Sequence, residues 1–506
     1  MIKRKLASIQ LGLKFSASPE REIVDFPPPK SNLESLLASS IFFLWNLLLF
    51  VRGNLLTTIP IINIPSQSSA EQIRKAWGLG DAGSLLEVAI TWSKFVQLDA
   101  QSQNWIPGFW TLGMSVLEVP LIWLERIGVP IFFSLLLTNL FLWTLIVFLV
   151  WKFYSPRVGG VLLLFGILSL RFSWDFDYMM QDYVFYTESI AYGLLFMGLI
   201  LFSIRFYYPH LRTGRSLVLA GIFVGLSLMF RHTSDSGLWL LLMISSLFYF
   251  RRFKNRKFLN KTRQTTKNKR QTKKKSKEIL DIEYSQQKSL ELLFFSAIAV
   301  LTTMPWRLLR SIAFNHFTLS LSGASVYVPR ILWTTPESPS GQSYGWNGGN
   351  WACLIDRITC LELQGDLENT SKSNDLLLKA IVTALKNPID FAQIRIEFLI
   401  RNWIPGFGWL DSFDSLVATF FLILPIILGV TMFKLRKNLQ LIAIAPWACF
   451  LLMHSAQLLV THFESRYFIS LRILLLGMFL NILMCRNISR KDPKKTFSTS
   501  NSQNTN

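Results

Sequence analysis

The residues best suited to chemistry are a few acids and arginines that stand beside long apolar segments. Asp81 lies between glycines in the sequence Gly80-Asp81-Ala82-Gly83. A carboxylate in such a loop can act as a general base, because it takes a proton from a hydroxyl within hydrogen-bonding reach. The alternative is a helix cap, since Asp is among the residues preferred immediately before a helix. Local sequence favours the cap, and both interpretations stay open at this point.

Arginines follow two of the apolar segments. Arg231 comes directly after one segment, and Arg307 and Arg310 come after another. Guanidinium groups bind phosphate oxygens in a planar, two-pronged geometry, so these arginines are candidate phosphate ligands. The simpler interpretation for each is a side chain that extends along apolar surface until its charge reaches water.

Ionisable groups also stand at two other segment boundaries. Glu188 opens an apolar segment, and the short stretch 462–467 contains His462, Glu464, Arg466 and Tyr467. Ionisable groups at a membrane boundary are candidates for function. An acid in the first turn of a helix also stabilises that helix, and an interfacial turn explains the second stretch equally simply.

The elements that must position these residues are apolar and long. Hydrophobic residues make up 51% of the 506 residues, and Phe alone occurs 41 times. Apolar runs near membrane-spanning length exclude an ordinary soluble domain and predict an all-α polytopic membrane protein with about ten transmembrane helices. The predicted spans are 36–51, 130–152, 158–170, 189–206, 216–230, 237–250, 290–304, 415–433, 439–460 and 467–484.

The distribution of Lys and Arg predicts the orientation of these spans. Basic residues gather in alternate connections and at both termini, and such segments favour the cytoplasm. We therefore expect a multi-pass protein of the cell membrane with both termini cytoplasmic. The opposite, external face then receives all the candidate residues. The predicted cytoplasmic segments are those before 36, 152–157, 205–215, 251–277, 434–437 and 486–495.

The same pattern divides the chain into five regions. A cytoplasmic tail without a cleavable signal peptide is expected first, and a disordered cytoplasmic tail last. Between them lie two membrane halves with external loops 54–129 and 307–412, joined by a basic loop. The stretch 251–277 in that loop has no Asp or Glu and is predicted to be disordered. Membrane lipids are its expected partner, and nucleic acid is not. The regions are 1–35, 36–250, 251–289, 290–485 and 486–506.

Several familiar site classes are missing from the sequence. The five His residues have no HExxH spacing, and there is no clustered Cys pair, so no metal ligands are assigned. No phosphate loop of the GxxxxGK[ST] type and no GxSxG elbow occur. Cys353 and Cys360 lie in one predicted external loop. The two residues could form a disulfide or remain as two free thiols, and the sequence favours neither alternative.

The order of these features resembles the polyprenyl-phosphate-sugar-dependent glycosyltransferases of the GT-C superfamily, which include the protein O-mannosyltransferases and the lipid A aminoarabinose transferase. Members carry an Asp in the first external loop, a Pro-Gly turn, an acid that opens a later span and an Arg that closes another. A Pro-Trp-x-x-Arg segment and a Glu-x-Arg-Tyr motif complete the pattern. These features correspond here to Asp81, Pro107-Gly108, Glu188, Arg231, Pro305-Trp306 with Arg310, and Glu464-Ser465-Arg466-Tyr467.

The resemblance implies a GT-C-like bundle whose external loops form the active site of an inverting glycosyltransferase. The donor would be a polyprenyl-phosphate-linked sugar, and the sugar and the acceptor stay unknown. Asp81 would be the general base, and Arg231, Arg310 and Arg466 would bind the donor phosphate. Glu188, His462, Glu464 and Tyr467 are further site candidates.

Two departures from the family pattern bear on cofactors and donor contacts. Ala82 follows Asp81 where many members have Glu, which argues against a metal site in this loop. Ser311 replaces the Asn that often follows the Arg of the Pro-Trp segment. No cofactor is assigned, and a requirement for a divalent metal stays open.

Two other functions fit the same residues. A lipid or polysaccharide transporter would use the arginines for phosphate headgroups, and transporter folds commonly contain symmetric halves. An inactive GT-C-like assembly subunit is the other alternative, because the second acid of the first loop is missing. Sugar transfer from a lipid-phosphate donor distinguishes the enzyme from both.

Overall fold

The computed structural model describes the chain as a set of helices. The described residues are 29–56, 69–77, 81–96, 111–154, 187–208, 211–263, 269–313, 441–460 and 468–489, with single positions at 381–392 and 430. Within this part of the chain the regular elements are helices, and no strand occurs. The all-helical fold class is therefore confirmed for the described residues, whereas the number of ten transmembrane helices stays a prediction.

Eleven α-helices have defined bounds among the described residues, and a short 3₁₀ turn, His232–Ser234, joins two of them. The helices are α1 Asn32–Leu56, α2 Ala70–Trp77, α3 Asp81–Ser93, α4 Gly113–Glu125, α5 Ile131–Phe153, α6 Glu188–Tyr207, α7 Gly214–Phe230, α8 Asp235–Arg263, α9 Lys269–Ala313, α10 Leu441–Val460 and α11 Phe468–Ser489. Eight of the ten predicted spans lie on these helices, and the segments 158–170 and 415–433 lie outside the described residues apart from position 430.

Three described helical segments are long and apolar enough to cross a membrane. They are Ile131–Phe153, Glu188–Tyr207 and Lys288–Ile312, with mean hydropathies of 2.3, 1.8 and 1.6. Shorter apolar helical segments occur at Asn32–Leu48, Gly214–Phe230, Ile442–Gln457 and Ile473–Met484. These segments support a membrane protein, because soluble domains seldom contain several helices of this length and apolarity.

Helix α6 lies at the centre of the bundle. It packs against α5, α7, α10 and α11, and nearly all of its side chains are buried. A helix that is apolar on every side has no face to offer to water, so an interior position is expected.

Small residues bring α7 close to its neighbours. Gly221 and Gly225 lie one turn apart on the face that meets α9. A Cβ at Gly221 would come within 2.8 Å of the Ile298 side chain, and one at Gly225 within 2.5 Å of Thr302 Cβ. Glycines at this spacing allow two helix backbones to approach closely, as is common between helices in membranes.

Three helices form in the predicted external loop, where the sequence had indicated only a helix start near Ala82. Helices α3 and α4 run in the same direction. Ser115 Oγ donates to the Leu85 carbonyl oxygen at 2.8 Å, and Trp123 Nε1 donates to the Ser93 carbonyl oxygen at 3.0 Å. Helix α2 packs on α3, and the Ala70 amide donates to Glu125 at the end of α4. The three helices therefore form one packed unit.

The prediction of disorder for 251–277 is wrong for most of that stretch. Helix α8 continues to Arg263, and α9 begins at Lys269. Lys and Arg are good helix formers, and a helix already nucleated in an apolar segment extends at little further cost. Charge composition alone cannot reveal this continuation.

Basic chain segments gather at one end of the bundle, which we call the Glu291 end and define by Tyr154, Arg205, Tyr207, Arg212, Glu291 and Asn481. The Lys30 amide donates to the Lys152 carbonyl oxygen near this end. Tyr154 and Tyr207 both donate to the Asn481 side-chain oxygen, at 3.1 and 3.0 Å. The segments predicted to be cytoplasmic around 30, 152 and 205–215 thus lie together.

Candidate functional site at the Glu188 end of the bundle

The opposite end of the bundle contains a second group of buried polar side chains. We call it the Glu188 end and define it by Thr187, Glu188, Arg231, Ser234, Asp235, Arg307 and His454. Helices α6 and α8 begin there, α7 ends there, and the last turns of α9 and α10 reach it. Side chains that are far apart in the sequence therefore meet at one end of the bundle.

Arg231 and Glu188 form a buried ion pair in this group. Arg231 Nη1 lies 2.7 Å from Glu188 Oε1, and the two side chains are 8% and 2% exposed. Nη1 also donates to Thr187 Oγ1 at 3.3 Å. Arg231 takes this position because α7 ends at Phe230 and Arg231 has extended backbone angles, with φ −147° and ψ 115°. The pair joins the end of α7 to the start of α6.

Arg307 and Asp235 form a second buried pair. Arg307 Nη2 bonds Asp235 Oδ1, and Nη1 donates to Oδ2 at 3.2 Å, which is the two-pronged geometry that Arg and carboxylate prefer. Arg307 Nε donates to Thr303 Oγ1 at 2.8 Å. The guanidinium carbon also lies 5.3 Å from the centre of the Trp239 ring, within the range of a cation–π contact. These contacts fix the Arg307 side chain from three directions.

Helix α10 attaches to this group through two polar side chains. His454 Nε2 lies 2.9 Å from Ser234 Oγ, and Gln457 Nε2 donates to Ser236 Oγ at 2.9 Å. The two contacts fall on either side of Asp235 in the sequence. They fix the start of α8, and thereby the backbone of the residue that binds Arg307.

The start of α3, where Asp81 lies, comes close to the same end. Leu85, one turn after Asp81, is bonded to Ser115 in the first turn of α4. Gly113, where α4 begins, contacts the end of α7, since a Cβ there would come within 2.5 Å of the Met229 carbonyl oxygen. The Asp81 backbone therefore lies on the side of α3 and α4 that leads to Arg231. The Asp81 side chain is outside the described residues, so its role as base or cap stays a prediction.

The other predicted site residues divide into two groups. Arg310 is 6% exposed and lies about one helical turn beyond Arg307 on α9. It therefore belongs to the same helix end as the Arg307–Asp235 pair. Several predicted residues lie outside the described part of the chain, namely Cys353, Cys360, His462, Glu464, Arg466 and Tyr467.

The sequence interpretation missed Asp235 and His454. Asp235 begins an apolar helix four residues after Arg231, so the reasoning that selected Glu188 at its span entrance applies equally to Asp235. His454 stands alone in an apolar helix, which is also a signal of function or of a buried polar contact. Their partners, Arg307 and Ser234, are recognisable only once the helices are packed.

The described side chains contain no cluster of three or more His, Cys, Asp or Glu residues that could hold a metal ion. The acids that lie at the Glu188 end are instead bonded to arginines. In comparisons with known proteins, no family model, no curated protein and no solved structure matches this chain. The fold and the site therefore define a class only, which is a helical membrane-type bundle with buried arginine–acid contacts at both ends.

Proposed function

We propose that the protein is a membrane glycosyltransferase that works at the Glu188 end of the bundle. It would move a sugar from a polyprenyl-phosphate donor to an acceptor hydroxyl on the external face of the cell membrane. The supporting observation is the meeting of Glu188, Arg231, Asp235 and Arg307, from four chain segments, near the start of the helix that carries Asp81.

The position of this group favours the external face. Basic connections lie at the Glu291 end, which the distribution of Lys and Arg assigns to the cytoplasm. Arginines at the opposite end run against that trend and therefore need an anionic partner. Glu188 and Asp235 contact Arg231 and Arg307, and Arg231, Arg310 and Arg466 are proposed to bind the donor phosphate.

The proposed reaction is a single displacement. Asp81 takes the proton of the acceptor hydroxyl, and the hydroxyl oxygen forms a bond to the anomeric carbon of the donor sugar. The bond between that carbon and the phosphate oxygen breaks, so the configuration inverts and the polyprenyl phosphate leaves with the bonding electrons. Arg310 and Arg466 stabilise the negative charge that develops on the leaving oxygen.

The side chain of Arg231 is held in one orientation by its neighbours. Its Nη1 atom is held by Glu188 and Thr187, so the guanidinium plane has a fixed orientation. Arg231 is proposed to bind the donor phosphate in this fixed orientation, together with Arg310 and Arg466. Glu188 then acts as a positioning residue, because it sets the direction of the Arg231 side chain without contacting the donor.

The decisive assay is the transfer of radiolabelled sugar from polyprenyl-phosphate-linked hexoses and pentoses to membrane acceptors by the purified full-length protein. Asp81→Asn is expected to lower transfer about 10²- to 10⁴-fold, the usual contribution of a general base. Glu87→Gln is the matched control on the same helix, since Glu87 is partly exposed and paired with Arg74 at 2.8 Å. It should leave transfer unchanged.

Full transfer by a folded Asp81→Asn variant would show that Asp81 is not the base. Movement of the intact donor across a proteoliposome membrane, with no glycosidic bond broken, would instead favour the transporter.

A further inference from the structure

One buried acid in the described part of the chain differs from all the others. Glu188, Asp235 and Glu291 are each bonded to at least one arginine. Glu118, on α4, is completely buried, and neither of its carboxylate oxygens has a hydrogen-bond partner. A buried carboxylate without a cation or a donor is very costly, so such a group normally takes up a proton instead.

The position of Glu118 is an apolar interface. It shares one stripe of α4 with Ser115 and Ile122. Ser115 bonds Leu85, and further along α4 both Trp123 and Arg126 bond Ser93, so Glu118 lies between two attachment points of α3. Between those points α3 buries apolar side chains only, namely Leu86, Val88, Ala89 and Ile90.

The elements packed on α4 supply no described charge to Glu118. Helix α4 packs against α3, α5 and α7. The charged residues of these elements and their ends are Asp81, Glu87, Lys94, Lys152, Arg215 and Arg231, and α4 itself adds Glu125 with Arg126. Glu87 is paired with Arg74, Lys94 with Glu71, and Arg231 with Glu188. Lys152 stands over Phe148 and Phe153 at the other end of α5. Burial alone therefore raises the pKa of Glu118 well above its ordinary value of 4.5.

We propose that Glu118 is a proton-binding site. Its neutral carboxylic acid is part of the packed α3–α4 interface at neutral pH, and its ionisation in alkaline solution loosens α3. Because α3 begins at Asp81, the proton on Glu118 holds in place the helix that carries the proposed base. The inference itself concerns proton binding and helix packing, so it does not depend on the transferase activity.

The direction of the pH effect follows from proton linkage. The folded protein keeps the Glu118 proton at pH values where the unfolded chain has already lost it. The unfolding free energy therefore falls as the pH rises above 4.5 and continues to fall until the folded-state pKa is reached. Glu118→Gln preserves the shape of the neutral acid and has no proton to lose, so it removes this dependence.

The test is thermal unfolding of the full-length protein in detergent micelles from pH 5 to pH 9. The Tm of the wild type should fall with pH by about 1–3 °C relative to Glu118→Gln, a small shift because the unfolding entropy of a 506-residue chain is large. Glu125→Gln is the matched control on the same helix. Glu125 also has a raised pKa, but its carboxylate accepts the Ala70 amide, so its substitution should leave the Glu118-dependent slope in place.

Infrared spectroscopy provides a second reading if Glu118→Gln unfolds. At pH 7 the wild type should show the carbonyl band of a protonated carboxylic acid, and this band should disappear in alkaline solution. Over the same pH range, hydrogen exchange of the backbone amides of residues 81–93 should accelerate by more than the intrinsic chemical rate does. Parallel Tm profiles of wild type and Glu118→Gln, or a carboxylate band that accounts for Glu118 at pH 7, would overturn the proposal.

Discussion

The two ends of the bundle bury arginine in different arrangements. At the Glu188 end each acid has its own arginine, as Glu188 pairs with Arg231 and Asp235 with Arg307. At the Glu291 end one acid serves two arginines, because Glu291 lies 3.4 Å from Arg205 and 2.8 Å from Arg212. Each pair at the Glu188 end is electrically balanced by itself, whereas the contacts of Glu291 with two arginines leave an excess of positive charge.

Under the proposed function, the two ends of the bundle have different roles, one in structure and one in sugar transfer. Arg205 also bonds the Thr213 carbonyl oxygen and Ser216 Oγ, so its guanidinium is occupied by a turn and two helices. Such a network ties α6, the following turn and α9 together. The balanced pairs at the Glu188 end instead fix Arg231 and Arg307, and Arg307 lies about one helical turn before Arg310 on α9. The contacts of the Glu291 end are those of a structural joint, and the Glu188 end is the proposed active site.

The largest difference is expected when one arginine is removed at each end. Arg310→Met should lower sugar transfer about 10²- to 10³-fold, a magnitude typical of losing one donor to a developing negative charge. Arg212→Met, the matched control at the Glu291 end, should leave transfer per folded molecule unchanged. Labelled-sugar transfer normalised to folded protein provides the measurement, and equal losses in both variants would remove the functional distinction between the ends.

Removing the shared acid should have the largest effect on stability. Glu291→Gln leaves Arg205 and Arg212 without their carboxylate, and breaking a buried pair typically costs about 3–5 kcal/mol. Denaturant unfolding in mixed micelles measures the change in unfolding free energy. A fall in unfolding free energy no larger than that of an average surface substitution would show that Glu291 does not hold the helices together at this end.

Replacing a whole pair at the Glu188 end should separate stability from function. The double variant Glu188→Leu with Arg231→Leu leaves no buried charge uncompensated. Replacing both partners with apolar residues is often neutral or stabilising, by about 1–4 kcal/mol. We expect a folded protein with a similar or higher Tm but greatly reduced transfer, read out by thermal unfolding and the transfer assay together. Retained transfer would exclude this pair from the site.

The smallest effect is expected for one hydroxyl at the Glu291 end. Tyr207→Phe removes a hydrogen bond to Asn481 Oδ1, but Tyr154 donates to the same oxygen and keeps it satisfied. The unfolding free energy should fall by about 1 kcal/mol, as for an ordinary hydrogen bond. Transfer should stay at the wild-type level. A loss of transfer without a loss of stability would show that Tyr207, at the Glu291 end, also contributes to sugar transfer.

Much of the fold is recoverable from the pattern of apolar segments. Eight of the ten predicted spans fall on described helices, because a long apolar run in a chain this hydrophobic has few alternatives to a buried or membrane helix. The helices of the predicted external loop were largely missed. Helix α4 has Pro120 in its interior and two acids, Glu118 and Glu125, which obscure any simple periodicity. The basic helical extensions were also missed, since charge composition does not report continuity with a preceding helix.

The candidate site was recoverable in part. Glu188 and Arg231 were selected because charged residues beside apolar segments are unusual, and the structure joins them in one ion pair at 2.7 Å. Asp235 and His454 carry the same signal. The isolation of Glu118 could not be read from the sequence, because it depends on which side chains surround it from α3.

What the amino-acid sequence determined by itself is the class of protein and the positions of its unusual charges, because apolar runs and boundary residues are local features. What only the tertiary structure decided is the pairing of those charges. Glu188 lies 43 residues from Arg231, and Asp235 lies 72 residues from Arg307. The choice of partner depends on which helix ends meet, and that is set by close contacts such as those of Gly113, Gly221 and Gly225.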